Sequence, residues 1–141
     1  MVPLCRSYQG DDREALVSLW RACHLTRPWN DPYRDIERKL SVDADNLLVL
    51  EDGDRLIGSV MVGYDGHRGW VNCLAVHPDH QWRGFGHLLM VEAEKRLQVL
   101  GCPKVNLQVR GSNQAAIEFY QRIGYTIDDV VSLGWRLIDD S

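Results

Sequence analysis

Gln81-Trp82-Arg83-Gly84-Phe85-Gly86 lies between an apolar run, 70–76, and a long amphipathic helix that is predicted to begin near Gly84. The first N–H groups of a helix have no partner inside the helix, and the positive end of the helix dipole lies behind them. Gly84 and Gly86 carry no side chain that would keep an anion away from these groups. The stretch therefore predicts a phosphate-binding turn between a strand and a helix. The ligand that it implies is a phosphorylated cofactor.

The glycine spacing narrows the choice of cofactor. A dinucleotide fingerprint needs three glycines early in a βαβ unit and an acidic residue about 20 residues later. This turn has two glycines and lies past the middle of the chain. A P-loop ends in Gly-Lys-Ser/Thr, and the stretch contains no such ending. The turn therefore matches neither of these two nucleotide-binding motifs.

The composition limits the class of protein. The chain has 141 residues, of which 45% are hydrophobic, so we expect a single domain spanning residues 1–141. Its formal net charge of −4 argues against general nucleic-acid binding, which needs a basic face. No apolar run reaches the ~18 residues of a membrane span, and no signal peptide is evident, so a cytoplasmic protein is expected. The four cysteines form no Cys-x-x-Cys pair and the histidines do not cluster at metal-ligand spacing, so we predict free thiols and no metal site.

Hydrophobic periodicity predicts ten elements in the order β-α-α-β-β-β-α-β-α-β. The predicted strands are 2–8, 47–51, 55–64, 70–76, 105–109 and 130–138, with a further short strand near Tyr125. The predicted helices follow Asp11, extend over 32–40 and 84–100, and begin after Asn113. We therefore expect an α/β protein.

Two motifs resemble a known family. The pattern Gln-x-x-Gly-x-Gly after a strand ending in Val76-His77-Pro78 resembles the pyrophosphate loop of the GCN5-related N-acetyltransferase (GNAT) family. The segment 115–125, Ala-Ala-Ile-Glu-Phe-Tyr-Gln-Arg-Ile-Gly-Tyr, resembles the A-x-x-F-Y-x-x-x-G-F/Y helix of that family. The order of elements is similar too, so the resemblance covers essentially the whole chain and points to the small bacterial single-domain type. It implies a mixed, mostly antiparallel sheet of about six to seven strands with about four helices on both faces.

The resemblance implies acetyl-CoA as the cofactor. In the family, the main chain at the end of the strand pairs with the pantetheine arm, the glycine turn binds the pyrophosphate, and a tyrosine faces the sulfur. Tyr120 is then the general acid for the departing thiolate, since a phenol with a pKa near ~10 keeps its proton at neutral pH. The implied cofactor-binding residues are Leu74, Ala75, Val76, Gln81, Trp82, Arg83, Gly84, Phe85, Gly86, His87, Asn113 and Tyr120.

The general base and the acceptor site are less defined. Many family members carry a glutamate on the strand before the loop, but 70–76 has no carboxylate. Either a chain of water molecules removes the proton, or Asp65 or Asp31 does. In this fold the loop after the first helix overhangs the acceptor, where Trp29 would contact a cationic amine with Asp31 balancing its charge. The predicted substrate-binding residues are Trp29, Asn30, Asp31 and Asp65.

The sequence is thus interpreted as an N-acetyltransferase that moves an acetyl group from acetyl-CoA to a primary amine of a small molecule or protein. Direct attack in a ternary complex is expected, because no cysteine is placed by a motif to carry the acetyl group. An alternative stays open: a catalytically weak or inactive acyl-CoA-binding sensor or regulatory module, because 70–76 lacks a carboxylate. A longer acyl chain and a homodimer also stay open.

Overall fold

The computed structural model describes residues 2–141. Its strands are β1 (Leu4–Ser7), β2 (Leu47–Asp52), β3 (Arg55–Tyr64), β4 (Gly69–Val76) and β5 (Val105–Leu107). Its α-helices are α1 (Arg13–Ala22), α2 (Pro32–Asp43), α3 (Phe85–Val99) and α4 (Gln114–Arg122). The predicted order of elements is therefore confirmed as far as α4.

The strands form one sheet in the order β1-β2-β3-β4-β5. The first four strands pair antiparallel, and β5 runs parallel to β4. A parallel neighbour needs a crossover on one face of the sheet, and α3 provides it. The predicted mixed, mostly antiparallel sheet with four helices is confirmed, although it has five strands rather than six or seven.

Strand β2 shows why both faces of the sheet are covered. Successive side chains of a strand point to opposite faces, and Leu47 to Leu50 are all fully buried. Leu47 and Val49 pack against the core formed by α1 and α2, whereas Leu48 and Leu50 pack against the core formed by α3. An uninterrupted apolar run is therefore what a central strand of this three-layer fold requires.

Two helices begin at side-chain caps. The Asp31 carboxylate accepts a hydrogen bond from the Tyr33 N–H (2.9 Å), with Pro32 in the first turn of α2. The Asn113 side-chain oxygen accepts one from the Ala116 N–H (3.2 Å) at the start of α4. Both caps satisfy N–H groups that have no partner within the helix. Helix α2 continues to Asp43, three residues beyond its predicted end.

The predicted strand 130–138 is wrong, and so is the short strand predicted near Tyr125, since residues 2–141 hold no strand after β5. Within residues 2–141, the backbone of 126–139 forms no hydrogen bond to other backbone groups. Side chains hold this segment instead: Lys104 bonds to Asp128 (2.6 Å) and Gln108 to Ser132, and Arg38 bonds to Asp140 (2.6 Å). Alternating apolar residues satisfy the local pattern of a strand, but a strand also needs a neighbour, and periodicity does not provide one.

Candidate active site

The second half of strand β4 has an unpaired edge. Strand β4 pairs with β5 only through Gly69–Val71 and Val105–Leu107. Beyond this point the two parallel strands separate, and in the described chain residues 72–76 of β4 have a neighbour only in β3. Main-chain groups on the other side of 72–76 are therefore available to an extended ligand, apart from the Val76 carbonyl, which accepts from the Gln81 amide and the Cys23 thiol.

A β-bulge lies at the start of this free edge. The pairing of β3 with β4 shifts between Ser59 and Met61, and Cys73 has a left-handed φ of 53°. The fully buried Ser59 hydroxyl donates to the Cys73 carbonyl (2.9 Å) and accepts from the Trp20 indole N–H (3.0 Å). These bonds fix the orientation of the bulged peptide. The main-chain groups at the free edge are therefore positioned by contacts on the β3 side of the strand.

The Cys73 thiol is unsuited to carry an acyl group. Burial, assisted by the negative charge of Asp35, raises its pKa to about 12. Only the thiolate is a good nucleophile, so at neutral pH this cysteine is inert. It therefore offers no support for a covalent acyl-enzyme route.

The turn after β4 presents free N–H groups. Gly84 is the N-cap of α3 and has a φ of 82° with no side-chain cap. The first hydrogen bond of the helix runs from the Leu88 N–H to the Gly84 carbonyl (3.0 Å), so the N–H groups of 85–87 have no helical partner. No acidic residue lies in the first turn, and a Cβ on Gly84 would meet nothing within 4 Å. This open helix start suits an anion.

The two glycines of the turn have different roles. A Cβ on Gly86 would lie 3.0 Å from the Phe119 ring. Gly86 therefore allows α3 to approach α4 closely, while Gly84 faces open space. The sequence predicted that both glycines leave room for an anion, and in the structure a Cβ would meet open space at Gly84 and the Phe119 ring at Gly86.

The remaining loop residues surround this helix start. The Gln81 side chain donates to the Val76 carbonyl (3.1 Å) and so ties the loop to the end of β4. Trp82 is 89% exposed and has a φ of 67°. Arg83 and His87 are exposed and form no ion pair with any residue in 2–141. Both side chains are thus free to meet an anion at the turn.

Tyr120 on α4 has a free hydroxyl. Its ring packs edge-on against Phe119 and Tyr125, with centroids 5.1 and 5.9 Å away. It borders the same hydrophobic core as Leu74 and Val76 of the free edge. Burial raises the pKa of Tyr120 to about 12, and its hydroxyl makes no hydrogen bond within the described part of the chain.

The hydroxyl of the neighbouring Tyr125, unlike that of Tyr120, forms a hydrogen bond. The Tyr125 hydroxyl donates to the Glu94 carboxylate (2.7 Å). Its proton is therefore engaged in a structural hydrogen bond, whereas that of Tyr120 is available. The side-chain oxygen of Asn113 is similarly engaged as the cap of α4, which leaves its amide N–H groups for a ligand.

The loop between α1 and α2 lies under the C-terminal segment. Trp29 is 41% exposed, and its carbonyl accepts from the Asp140 N–H (3.1 Å). The Asp31 N–H donates to the Asp140 carboxylate (2.8 Å), and the Asn30 amide donates to Asp35. These bonds hold Trp29, Asn30 and Asp31 in one loop beside Asp140.

Asp65 lies elsewhere. Its carboxylate accepts from the His67 and Arg68 N–H groups (2.8 and 2.7 Å), which hold its pKa below the usual range. It precedes the start of β4, and Gly69 is about 13 Å along the strand from Cys73 at ~3.3 Å per residue. The structure therefore does not place Asp65 beside the bulge.

Sequence reasoning missed Asp35 and Ser59. Asp35 lies in the first turn of α2, and its negative charge contributes to the raised pKa of the Cys73 thiol. No spacing rule relates a residue of α2 to one of β4. Ser59 is a polar residue within an apolar strand, and a polar residue at such a position indicates a buried hydrogen-bonded group.

Two further features bear on function. No group of three or more His, Cys, Asp or Glu side chains in residues 2–141 is placed to hold a metal ion. No helix in that range is long and apolar enough to cross a membrane.

The candidate site is a free strand edge beside an open helix start in an α/β protein. Comparison with known proteins gives the family. Residues 13–125 match the model of the acetyltransferase (GNAT) family. An acetyltransferase of Sodalis glossinidius (strain morsitans) is 50% identical over 136 residues, which cover 96% of each chain. The chain therefore belongs to the GNAT family of acetyltransferases, and its class of chemistry is acyl transfer.

Solved structures share the fold. A ribosomal-protein-alanine N-acetyltransferase from Brucella melitensis is 19% identical with a TM-score of 0.76, covering 97% of this chain and 100% of that one. AAC(6')-Iy, solved with a CoA-containing bisubstrate analog, is 16% identical with a TM-score of 0.78, covering 96% and 99%. These likenesses show the shared fold.

Proposed function

We propose that the protein transfers an acetyl group from acetyl-CoA to a primary amine of a small molecule or protein, by direct attack in a ternary complex. The observation that carries the proposal is the free edge of β4 leading to the open start of α3. An extended arm ending in a pyrophosphate fits this pair of features, since the edge takes amide groups and the helix start takes phosphate.

The residues around these features fit the donor. The main chain of Leu74, Ala75 and Val76 would pair with the pantetheine amides. The turn 81–87 would hold the pyrophosphate with its free N–H groups, and Arg83 and His87 would add positive charge. An N–H at the bulge would polarise the thioester carbonyl as its oxygen gains charge.

Tyr120 is the proposed general acid. As the C–S bond breaks, the sulfur takes the electron pair and needs a proton, because a thiolate is a poorer leaving group than a thiol. Burial raises the pKa of the Tyr120 hydroxyl, so the group is protonated at neutral pH and can donate to the sulfur as negative charge develops there. Its lack of a competing hydrogen bond supports the same role.

The amine must lose a proton before or during attack. Asp31 and Asp65 remain proposed groups for this step, together with a chain of water molecules. We add Asp35 to these groups, because its carboxylate accepts from Asn30 and Arg38 and its negative charge contributes to the raised pKa of Cys73. We place the ammonium between Trp29 and this carboxylate, where its charge is balanced before the proton leaves.

The first test is thermal unfolding with acetyl-CoA, with ATP and NAD as controls. A ligand at about 100 times its Kd stabilises a protein by roughly 2.7 kcal/mol, which shifts Tm by several degrees for a chain of this size. A shift with acetyl-CoA alone supports the donor. No shift at millimolar acetyl-CoA, in a protein that melts cooperatively, would overturn the proposal.

The second test is turnover on a panel of amines, measured as release of free CoA thiol. Turnover distinguishes an enzyme from a module that only binds acyl-CoA. Asp35→Asn is expected to lower kcat/KM for the amine by about 100-fold or more, as loss of a positioned acid–base group does. Asp65→Asn is measured beside it because Asp65 is a rival proposed group, and wild-type kcat/KM in Asp35→Asn would refute the role of Asp35.

A further inference from the structure

The chain after α4 returns to the loop between α1 and α2 at Asp140. The Asp140 N–H donates to the Trp29 carbonyl (3.1 Å), and the Asp31 N–H donates to the Asp140 carboxylate (2.8 Å). Arg136 also donates to the Trp29 carbonyl (3.3 Å). Asp140 therefore holds the main chain on both sides of Asn30.

The Asp140 carboxylate also pairs with two arginines of α2. Arg38 donates to it from both terminal nitrogens (2.6 and 3.2 Å), and the Arg34 Nη1 lies 3.5 Å from its Oδ1. None of the Asp140 side chain is exposed. The Arg38 bonds, together with the bond from the Asp31 N–H, lower the pKa of Asp140 to about 2. The carboxylate is therefore charged at neutral pH.

Arg38 links Asp140 to the carboxylate proposed to meet the amine. The same guanidinium donates to Asp35 (3.2 Å), which also accepts from the Asn30 amide. An opposite charge within about 4 Å offsets much of the field of a carboxylate. Because Asp140 neutralises part of the positive charge of Arg38, Asp35 keeps negative charge for an ammonium.

We propose that Asp140 is a positioning residue for the acceptor: it holds the loop 29–31 in place and neutralises Arg38, so that Asp35 attracts a cationic amine. This role rests on the proposed function, because it takes the site beside Trp29 and Asp35 as the place where the amine binds.

The charges around Asp140 suit a cationic acceptor. The ion pairs of this cluster lie within 3.9 Å and join three aspartates to two arginines: Asp31, Asp35, Asp140, Arg34 and Arg38. The cluster thus has one negative charge in excess, which a single ammonium would balance. Loss of the Asp140 charge would make the cluster neutral and weaken its attraction for the amine.

The first test is Asp140→Asn, which removes the charge and keeps the size and one acceptor oxygen. KM for the amine should rise about fivefold, the size expected of one partly exposed charge interaction, whereas kcat and KM for acetyl-CoA should not change. Asp139→Asn is the matched control, because it makes the same charge change one position away and Asp139 bonds only to Ser141 within residues 2–141. An unchanged amine KM in Asp140→Asn, or an equal rise in Asp139→Asn, would overturn the proposal.

A second substitution separates this role from a merely structural one. Arg38→Gln in the Asp140→Asn background removes the positive charge that was left unbalanced, so the amine KM should return to within about twofold of the wild-type value. A structural role predicts a further loss instead, since the double variant has fewer hydrogen bonds than the single one. Failure of the amine KM to recover would overturn the proposal.

Hydrogen exchange of Asp140→Ala, followed by NMR, tests the loop without any substrate. The variant removes the acceptor of the Asp31 N–H, so exchange of this amide should accelerate by at least about tenfold, whereas the buried residues 47–50 of β2 should exchange as in the wild type. Unchanged exchange at Asp31 would overturn the proposal. Accelerated exchange without wild-type turnover on any amine would overturn the proposed function, and with it the role of Asp140 in acceptor binding.

Discussion

Tyr120→Phe separates chemistry from stability in this protein. The substitution removes only the hydroxyl, so acetyl-CoA binding and its KM should be unchanged. Loss of a positioned general acid typically costs 10²- to 10⁴-fold, so we expect kcat to fall by at least about 100-fold. With a pKa of about 12, the wild-type hydroxyl is protonated throughout the neutral range. The kcat of the wild type should therefore not decline near pH 8 to 9 through ionisation of this group.

The effect on stability follows from the free hydroxyl. Because the Tyr120 hydroxyl bonds to no residue in 2–141, its removal should change the free energy of unfolding by no more than about 0.5 kcal/mol at pH 7. Above pH 10 the unfolded phenol ionises while the folded one keeps its proton. The unfolded state then binds fewer protons, so wild-type stability should fall between pH 10 and 12 by up to roughly 2.7 kcal/mol from this group. Tyr120→Phe should lose that part of the alkaline decline.

Tyr125→Phe is the matched control, because it removes a hydroxyl that bonds to Glu94. We expect it to lose about 1 kcal/mol of stability and to keep its kcat. The assay is single-turnover acetyl transfer to an amine from the panel, with urea unfolding of each variant. A wild-type single-turnover rate in Tyr120→Phe would refute the acid role.

Three further substitutions test the framework of the site. Ser59→Ala leaves a buried indole N–H and the bulge carbonyl without their partner, so urea unfolding should show a loss of about 1–3 kcal/mol, and KM for acetyl-CoA should rise; an unchanged KM would separate the bulge from binding. Gly86→Ala places a Cβ 3.0 Å from the Phe119 ring and should lower the free energy of unfolding by about 1–3 kcal/mol in the same measurement. Wild-type stability in this variant would show that α4 moves away without loss of stability. Asp12→Asn tests the Arg6 hydrogen bond that holds the Asp12 pKa below its usual value of 3.8. The wild type should be more stable than this variant at pH 7, and the difference should shrink as the pH falls below 3.8; a constant difference from pH 7 to 2 would contradict it.

Local signals predicted most of the fold. Apolar runs identified the central strands because both faces of the sheet are covered, as the four consecutive buried residues of β2 show. Asn113 and Gly84 marked helix starts because capping and left-handed backbone favour few residue types. These features depend on neighbours within a few residues, so the sequence displays them directly.

The features that were missed depend on distant partners. The contact of Ser59 with Trp20 joins residues 39 positions apart, and Asp35 approaches β4 through the packing of α2. The predicted strand 130–138 failed for the same reason, since its pattern was correct but no neighbouring strand lies beside it. The difference between Gly84, which faces open space, and Gly86, which faces Phe119, could not be predicted either, because it depends on the position of α4.

The free edge of β4 offers backbone atoms, and every residue except proline offers the same ones. Substitutions of the exposed Asn72 side chain should therefore be tolerated, whereas proline, whose ring removes the N–H, should be rejected throughout 72–76. The side chains of 73–76 are constrained by core packing and not by the donor. Relatives could then diverge in the acceptor that they modify, by changing the α1–α2 loop, while retaining one donor.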